Sequence, residues 1–234
     1  MDWNCKQSVL DAVSRKGSNF KYASPELKTD REVVLTAVSN YGMNLSHVSP
    51  ELKDDKKVVL AAVSNWGPAL FLASPKFLSD KDIVLAAVSK FGRALYNVSC
   101  ELRKNKEVAL AAVSNDGYAY KFISDSRALR SDREIILAAI STYSEALIYA
   151  SDNLRNDRDL VLTCLSKNGK AIKWCGHIQT GESTCNDREM VLTALCNYSE
   201  ALQYAAEPLR EEFESKTPEE ITELLNLEIK KNRK

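Results

Sequence analysis

The sequence predicts an all-α fold, an α-solenoid of about eight helical repeats of roughly 25 residues closed by a C-terminal capping helix. One pattern, seen as DREVVLTAVSNYG from Asp30 and DKKVVLAAVSNWG from Asp55, recurs along the chain. Each copy carries capping residues and apolar residues at helical spacing, without any β-hairpin signal. Because one copy cannot bury its own apolar face, tandem copies are expected to stack. The eight copies begin at Cys5, Asp30, Asp55, Asp80, Asn105, Asp132, Asp157 and Asp187.

The first helix of each copy follows the anchor residue, which we number position 0. The anchor is Asp or Asn in copies 2 to 8, and both residues are preferred N-caps. Position 5 is Leu in every copy, and positions 3, 4, 7 and 8 are nearly all apolar or small. This run covers most of the helix, so we expect neighbours on several sides and buried leucines at position 5, such as Leu85. Position 12 is Gly in six copies, which is typical of a left-handed residue that ends a helix.

A second, shorter helix and a further helical turn complete each copy. The second helix has a pattern like ALxYAS, with positions 15 and 18 facing inward. The sequence Ser49-Pro50-Glu51 places a Ser cap before a Pro in the first turn, which predicts the further turn. After copy 8, Thr217 and Glu220 form a capping box that predicts a closing helix, and the basic end KKNRK is expected to fray. We therefore divide the chain into a repeat array at 1–206 and a capping segment at 207–234.

Composition excludes several classes of protein. The 234 residues are 44% apolar and 27% charged, which is not the composition of a disordered chain. The net charge of zero argues against a strongly basic nucleic-acid binder. No run approaches the roughly 18 apolar residues of a membrane span, so we expect no membrane association. The N-terminus lacks signal-peptide features and the six cysteines are irregularly spaced, so we expect reduced thiols and an intracellular, cytoplasmic location.

The copies resemble a repeat family known as domain of unknown function 4116. The resemblance covers roughly residues 5–210 and rests on the acidic cap, the VVLxAV core, the Gly and the ALxYAS segment at fixed steps. It implies a helical repeat fold and no assigned activity. No catalytic residues follow from it. The copies here depart from the family pattern at the glycine step, at Ser144 and Ser199, and by two insertions.

Aromatic residues recur at position 11, the last position before the Gly. In a stack, equal positions line up, so these side chains are expected along one edge. Aromatic side chains dominate the hot spots of protein interfaces, which makes this edge a candidate partner-binding surface. The alternative is packing between copies, each ring covering the second helix of the next copy, and we give it the greater weight. The residues are Tyr41, Trp66, Phe91, Tyr143 and Tyr198. Position 17 forms a second row with the same two interpretations: Tyr22, Phe122, Tyr149, Trp174 and Tyr204.

Position 1 is Lys or Arg in all eight copies. Such a row could follow the phosphates of a nucleic acid, which is the alternative function. Acidic residues at positions 0 and 2 flank most of these cations, so we favour a salt-bridged surface with pairing between copies. The residues are Lys6, Arg31, Lys56, Lys81, Lys106, Arg133, Arg158 and Arg188.

Two copies are longer than the others, with extra residues around Asp125–Arg127 and Gly176–Asn186. Insertions in solenoids map to loops on one face, often the binding face. The second insertion, GHIQTGESTCN, is polar with two glycines, so we expect a loop that contributes no regular core element. We place part of the partner contact there, at His177, Gln179 and Glu182, beside Tyr143 and Tyr198.

The sequence offers little for catalysis. It has two histidines, no phosphate-binding glycine loop and no evident carboxylate pair. Ser at position 9 recurs in seven copies, which favours close helix contact with a bond to the preceding turn over a nucleophile. Cys164, Cys175 and Cys196 replace small residues, so we expect buried thiols and no zinc site. We therefore predict a monomeric, non-enzymatic scaffold that binds a protein of unknown identity, without cofactor, metal or catalytic residues.

Overall fold

A computed structural model describes residues 2–123, 126–179 and 185–232, with only the backbone described at 176–179. The described residues are mostly helical and contain no strand, only an isolated parallel bridge between Cys185 and Ala205. The predicted all-α tandem-repeat fold is confirmed. By internal contacts the chain forms two compact units, which we name unit 1 (Met1–Phe122) and unit 2 (Ile123–Lys234). This division differs in kind from the predicted array at 1–206 and capping segment at 207–234, which stays a prediction.

Each copy starts with one helix directly after its anchor residue. Asp55, for example, accepts hydrogen bonds from the backbone N–H of Lys57 at 2.8 Å and of Val58 at 3.2 Å. Such bonds satisfy N–H groups that have no partner inside the helix, which explains the recurring Asp. Cys5 makes no such bond in copy 1. The first helices are Lys6–Arg15, Arg31–Asn40, Lys56–Asn65, Lys81–Lys90, Lys106–Asn115, Arg133–Ile140, Arg158–Lys167 and Arg188–Leu195.

The second helix of most copies is a 3₁₀ helix that starts at position 12. These helices are Gly17–Tyr22, Gly42–His47, Gly67–Leu72, Gly92–Asn97, Gly117–Ile123, Gly169–Ala171 and Ser199–Tyr204, with α-helices at Ala146–Tyr149 and Ile172–Gln179. The further turn is a short helix at Pro50–Lys53, Pro75–Ser79, Cys100–Arg103, Arg127–Arg130, Asp152–Arg155 and Glu207–Phe213. Thus a copy is one regular helix followed by two tighter pieces, as predicted.

The core of each copy lies at positions 3, 4, 7 and 8. In copy 4 these are Ile83, Val84, Ala87 and Val88, and all four are fully buried. The invariant Leu at position 5 is only partly buried in seven copies, including Leu85, so the expectation that it lies in the core is wrong. Within each unit, successive first helices pack on one another, and most of them also pack on 3₁₀ helices.

The glycines at position 12 serve close packing. None of the five glycines described in detail, Gly42 and Gly92 among them, has a φ in the left-handed region, so the predicted helix-ending conformation is wrong. A Cβ on Gly92 would lie 2.3 Å from the carbonyl oxygen of Ala112 in the next copy. A Cβ on Gly42 would lie 2.4 Å from the carbonyl oxygen of Ala62. Only a residue without a side chain lets the next first helix come this close.

An amide at position 10 ties neighbouring copies together. Asn115 accepts from the backbone N–H of Gly92 at 2.7 Å and donates to the carbonyl of Ser89 at 3.1 Å. Asn65 of copy 3 makes the same pair of bonds to Gly42 and Ser39 of copy 2. Each amide therefore satisfies a backbone donor and a backbone acceptor of the preceding copy, at the place where its first helix ends.

The C-terminal segment covers copy 8. Thr217 and Glu220 form the predicted capping box. The backbone N–H of Thr217 donates to the Glu220 carboxylate at 2.8 Å, and the backbone N–H of Glu220 donates to the Thr217 hydroxyl oxygen at 3.3 Å. The closing helix, Pro218–Asn232, packs on the first helix of copy 8. Arg188 pairs with Glu228 of this helix at 2.7 Å. The pairing of copies thus continues into the closing helix.

The second insertion is not wholly a loop. The helix Ile172–Gln179 takes in its first four residues, and Cys185 near its end is buried. Cys185 donates its backbone N–H to the carbonyl of Tyr204 at 2.6 Å, and its own carbonyl accepts from Ala206 at 2.9 Å. The expectation that this insertion contributes no regular or core element is therefore wrong at both ends, because its backbone groups find partners there. None of the described helices combines the length and apolar character that crossing a bilayer requires.

Candidate functional site

The three position-11 aromatics of unit 1 lie directly after the first helix, in extended backbone conformation. Tyr41 has φ −154° and ψ 94°, and Trp66 and Phe91 are similar. Tyr41 is 40% exposed, whereas Trp66 and Phe91 are partly buried. The three rings therefore occupy the same place at the end of a first helix, and each is at least partly open to solvent.

Further apolar side chains from the 3₁₀ helices join these rings. Phe71 at position 16 is 44% exposed and packs edge-on against Phe91 of the next copy, with ring centroids 6.4 Å apart. Tyr96 at the same position is 62% exposed and contacts Phe122 at 5.2 Å. Rings of neighbouring copies thus touch along unit 1. We call this set the aromatic ridge: Tyr41, Met43, Trp66, Phe71, Phe91, Tyr96, Tyr118 and Phe122.

Cationic side chains lie over the end of the aromatic ridge. Arg93 stacks over the ring of Tyr118 at 4.7 Å and also pairs with Asp116 at 2.6 Å. Lys121 lies 4.9 Å from the centre of the same ring. These contacts hold Tyr118 in place at the surface.

The packing interpretation predicted that each ring covers the next copy. The direction is the reverse, since Phe91 of copy 4 contacts Phe71 of copy 3, and Tyr41 lies against Gly17 of copy 1. The reason is the order of the chain, because position 11 follows a first helix that already lies on the preceding copy. Each ring covers only part of its neighbour, so the packing interpretation accounts for one face of the side chain, and partner binding by the other face stays a prediction.

In unit 2 the structure brings Tyr143 and Tyr198 together. Both line one open cavity of about 510 Å³, with Asn168 of the copy between them on its wall. Where copies 2 to 4 of unit 1 have a ring at position 11, copy 7 has the smaller Asn168, which lines the cavity. We call this cavity the tyrosine groove.

The polar groups of the tyrosine groove are mostly satisfied. The hydroxyls of Tyr143 and Tyr198 donate to Glu145 and Glu200, each at 2.8 Å. The bond to Glu200 raises the pKa of Tyr198 to about 12, and burial with the bond to Glu145 raises the pKa of Tyr143. Both phenols therefore stay protonated at neutral pH and act as hydrogen-bond donors.

The predicted insertion contact cannot be placed beside these tyrosines. Glu182 lies outside the described residues, and so does Asp125 of the first insertion. His177 and Gln179 fall in the helix Ile172–Gln179, and only their backbone is described. Their role in partner binding stays a prediction.

The row of cations at position 1 is neutralised by the next copy. Lys56 pairs with Asp80 and Asp82, both at 2.8 Å, and Arg31 pairs with Asp55 at 2.8 Å. The same pairing recurs at Lys6, Lys81, Arg133 and Arg158, and at Arg188 with the C-terminal segment. The predicted pairing between copies is confirmed, and it uses the charges that a nucleic-acid backbone would need.

The cysteines of copies 7 and 8 are mostly inert. Cys164 and Cys175 are buried as expected, whereas Cys196 is exposed. Burial raises the pKa of Cys164 to about 12 and also raises the pKa of Cys175 and Cys185, so these thiols stay protonated. Across the described parts of the chain, no three His, Cys, Asp or Glu side chains form a group able to hold a metal ion.

The repeats match one family model five times in tandem. The model is the domain of unknown function DUF4116, and it matches residues 5–53, 30–78, 55–99, 80–126 and 132–178. The chain belongs to this family. It matches no curated protein and no solved structure.

Sequence reasoning missed two features of these DUF4116 copies. The ridge residues at positions 13 and 16, such as Met43, Phe71 and Tyr96, vary between copies, so they left no repeated pattern. The amide at position 10 did leave a signal, because Asn recurs there in Asn40, Asn65, Asn115 and Asn197, and the last three bond to the preceding copy. The predicted close helix contact of Ser at position 9 is wrong for Ser39, Ser64 and Ser89, because all three are exposed. The predicted bond to the preceding turn is present in Ser89, whose hydroxyl donates to the carbonyl of Leu85 at 2.7 Å.

Proposed function

We propose that this DUF4116 protein is a non-enzymatic helical-repeat scaffold that binds another protein through the aromatic ridge. The exposure of the ridge carries the proposal, since Tyr96 and Phe71 keep about half of their surface in solvent. Exposed groups of large apolar side chains, such as Phe71 with Phe91 and Tyr96 with Phe122, often mark interaction sites. Aromatic side chains also contribute large contact area at low entropic cost.

Charge favours a protein partner over a nucleic acid. The cations at position 1 are already paired with acids of the next copy, for example Arg31 with Asp55. Arg93 on the ridge is paired as well, with Asp116. Nucleic-acid binding depends on cations that are free to contact phosphates, so the ridge fits an interface of aromatic and apolar contacts better.

The tyrosine groove of unit 2 involves the same repeat position as the ridge of unit 1, with different chemistry. Its tyrosine hydroxyls are bonded to Glu145 and Glu200, and Lys167 and Lys170 stand on its wall. Among the described residues, neither lysine has a carboxylate within ion-pair distance, although Lys170 lies over the Tyr198 ring. We assign the groove to polar contacts with the same partner.

The experiment places a photo-cross-linking phenylalanine analogue at Tyr96 and, as the control, at Lys57. Lys57 is exposed on the first helix of copy 3, outside the ridge. We expect protein adducts from position 96 that are absent from position 57. The captured protein is then purified, and its Kd is compared for the wild type, Tyr96→Ser and Lys57→Ser.

We expect Tyr96→Ser to weaken binding at least tenfold, as hot-spot truncations do, and Lys57→Ser to leave it unchanged. Equal adducts from both positions, or equal affinity of both variants, would contradict the ridge as the binding surface. Adducts to nucleic acid in place of protein would favour the alternative function.

A further inference from the structure

We propose that a pocket on unit 2, lined by Arg127, Arg130 and Arg155, binds a phosphate monoester. The pocket lies between the third helices of copies 5 and 6, Arg127–Arg130 and Asp152–Arg155. Its volume is about 420 Å³, and Ser131 and Ser151 also line it. It shares no residue with the aromatic ridge or the tyrosine groove, so the proposal is independent of the proposed function.

The charge of the pocket is strongly positive in a chain of zero net charge. Three guanidinium groups line it, against the one carboxylate of Asp152, which pairs with Arg155. Among the described residues, the guanidinium of Arg127 makes no ion pair. Guanidinium groups bind phosphate oxygens through paired, charge-assisted hydrogen bonds, so the surplus charge suits a phosphate.

The three guanidinium groups are close enough to influence the same carboxyl, that of Asp152. The pKa of the Asp152 carboxyl is lowered, first by the hydrogen bond from Arg155 and its charge, and then by the charges of Arg130 and Arg127. A dianionic group beside Asp152 would experience the same three charges. The Ser151 hydroxyl oxygen is shielded from solvent without a hydrogen-bond partner among the described residues, and it is available as a further donor.

The repeat pattern does not require this charge. The residues after the Ser cap are Pro50-Glu51 in copy 2 and Cys100-Glu101 in copy 4, whereas copy 5 has Arg127-Ala128. Copy 5 therefore lacks the acid and gains a base at the same turn.

A structural role accounts for only part of the cluster. In other copies, the Lys or Arg side chain equivalent to Arg130 and Arg155 donates a hydrogen bond to a backbone carbonyl of the second helix. Lys28 donates to the carbonyl of Lys21 at 2.9 Å, and Arg210 donates to that of Gln203 at 3.2 Å. Arg127 has no such counterpart and is exposed, so it is the residue that separates the two interpretations.

The test measures binding to the full chain by calorimetry with three probes. These are inorganic phosphate, an end-blocked Gly-Gly-phosphoserine-Gly-Gly peptide, and the same peptide without phosphate. We compare the wild type with Arg127→Gln and Arg127→Lys. Lys57→Gln is the control, because it removes one exposed positive charge from another surface. Circular dichroism checks that each variant keeps its helix content.

We expect saturable binding of a phosphorylated probe, weakened at least tenfold by Arg127→Gln, partly restored by Arg127→Lys, and unchanged by Lys57→Gln. Similar affinity for inorganic phosphate and phosphopeptide would support the proposal with a free anion as ligand. Binding of the phosphopeptide alone would support it with a phosphorylated partner as ligand. No saturable binding of either phosphate probe, or binding that Arg127→Gln and Lys57→Gln weaken equally, would overturn it.

Discussion

Unit 1 and unit 2 are built from copies of the same repeat, yet they differ in the residues around position 11. In unit 1 the anchors follow at a constant spacing of 25 residues, and rings such as Phe71 and Phe91 touch from copy to copy. In unit 2 the spacing changes to 30 residues between Asp157 and Asp187, and the position-11 residues Tyr143 and Tyr198 line the tyrosine groove.

What the two units share is a hydrogen bond from the backbone of one copy to an Asn side chain of the next copy. The backbone N–H of Gly42 donates to Asn65 at 2.7 Å in unit 1, and that of Gly169 donates to Asn197 at 2.6 Å in unit 2. The comparison teaches that the bonds between copies are kept while the exposed edge varies.

The largest expected effect tests whether the two units have the same core. Ile83→Ala in unit 1 and Ile135→Ala in unit 2 should each cost about 2–5 kcal/mol of unfolding free energy, because both side chains are fully buried. Leu85→Ala should cost clearly less than Ile83→Ala, because Leu85 is partly exposed. Urea denaturation measures all three. A larger loss for Leu85→Ala would mean that position 5 belongs to the core after all.

Substitution of the position-12 glycines should have the second largest effect on the free energy of unfolding. Gly92→Ala and Gly169→Ala should each cost about 1–3 kcal/mol, because the new Cβ would lie 2.3 and 2.4 Å from atoms of the next copy. Ser199→Ala is the matched control, since this position in the last copy is exposed and already carries a Cβ. Stabilisation by Gly→Ala would show that close approach is not the reason for glycine.

Loss of the amide should have a smaller effect. Asn115→Ala in unit 1 and Asn197→Ala in unit 2 each remove bonds to the preceding copy, at about 1 kcal/mol per bond. Asn40→Ala is the control, because Asn40 is exposed and makes no side-chain hydrogen bond to another described residue. Equal melting temperatures for Asn115→Ala and Asn40→Ala would contradict the shared bonding of the two units.

The smallest effect concerns the charges between copies. The hydrogen bond from Arg31 lowers the pKa of Asp55, so this carboxyl stabilises the fold above its unfolded pKa of about 3.9. That contribution is lost as pH falls through the lower folded value. Asp55→Asn keeps an N-cap and removes the charge, so the melting temperature at pH 7 should fall slightly, and the fall should be smaller in high salt. Below pH 4, the melting temperature of the variant should change less with pH than that of the wild type. Unchanged pH dependence would mean that the pair contributes nothing.

The sequence predicts the repeats, the N-caps and the pairing of charges, because each depends on local pattern or on equal positions meeting in a stack. Burial was predicted less well. Leu85 is apolar but lies at the margin of the helix face, which only the packing of neighbouring helices determines. The sequence predicts the part of the ridge at position 11, because aromatic residues such as Tyr41 and Phe91 recur there. It does not predict Phe71 and Tyr96, whose rings meet those of the next copy only in the folded stack. The Arg127 pocket left no periodic signal because it occurs once.

The most direct test of the account is the unfolding free energy of the double variant Phe71→Ser/Tyr96→Ser. If the aromatic ridge is a binding surface, the exposed rings contribute little to the fold, and the loss should stay below about 1 kcal/mol. Phe20→Ala, at a fully buried ring, is the reference and should cost about 3–5 kcal/mol. A loss for the double variant as large as that for Phe20→Ala would show that the ridge holds the copies together, and would contradict its assignment as the partner-binding surface.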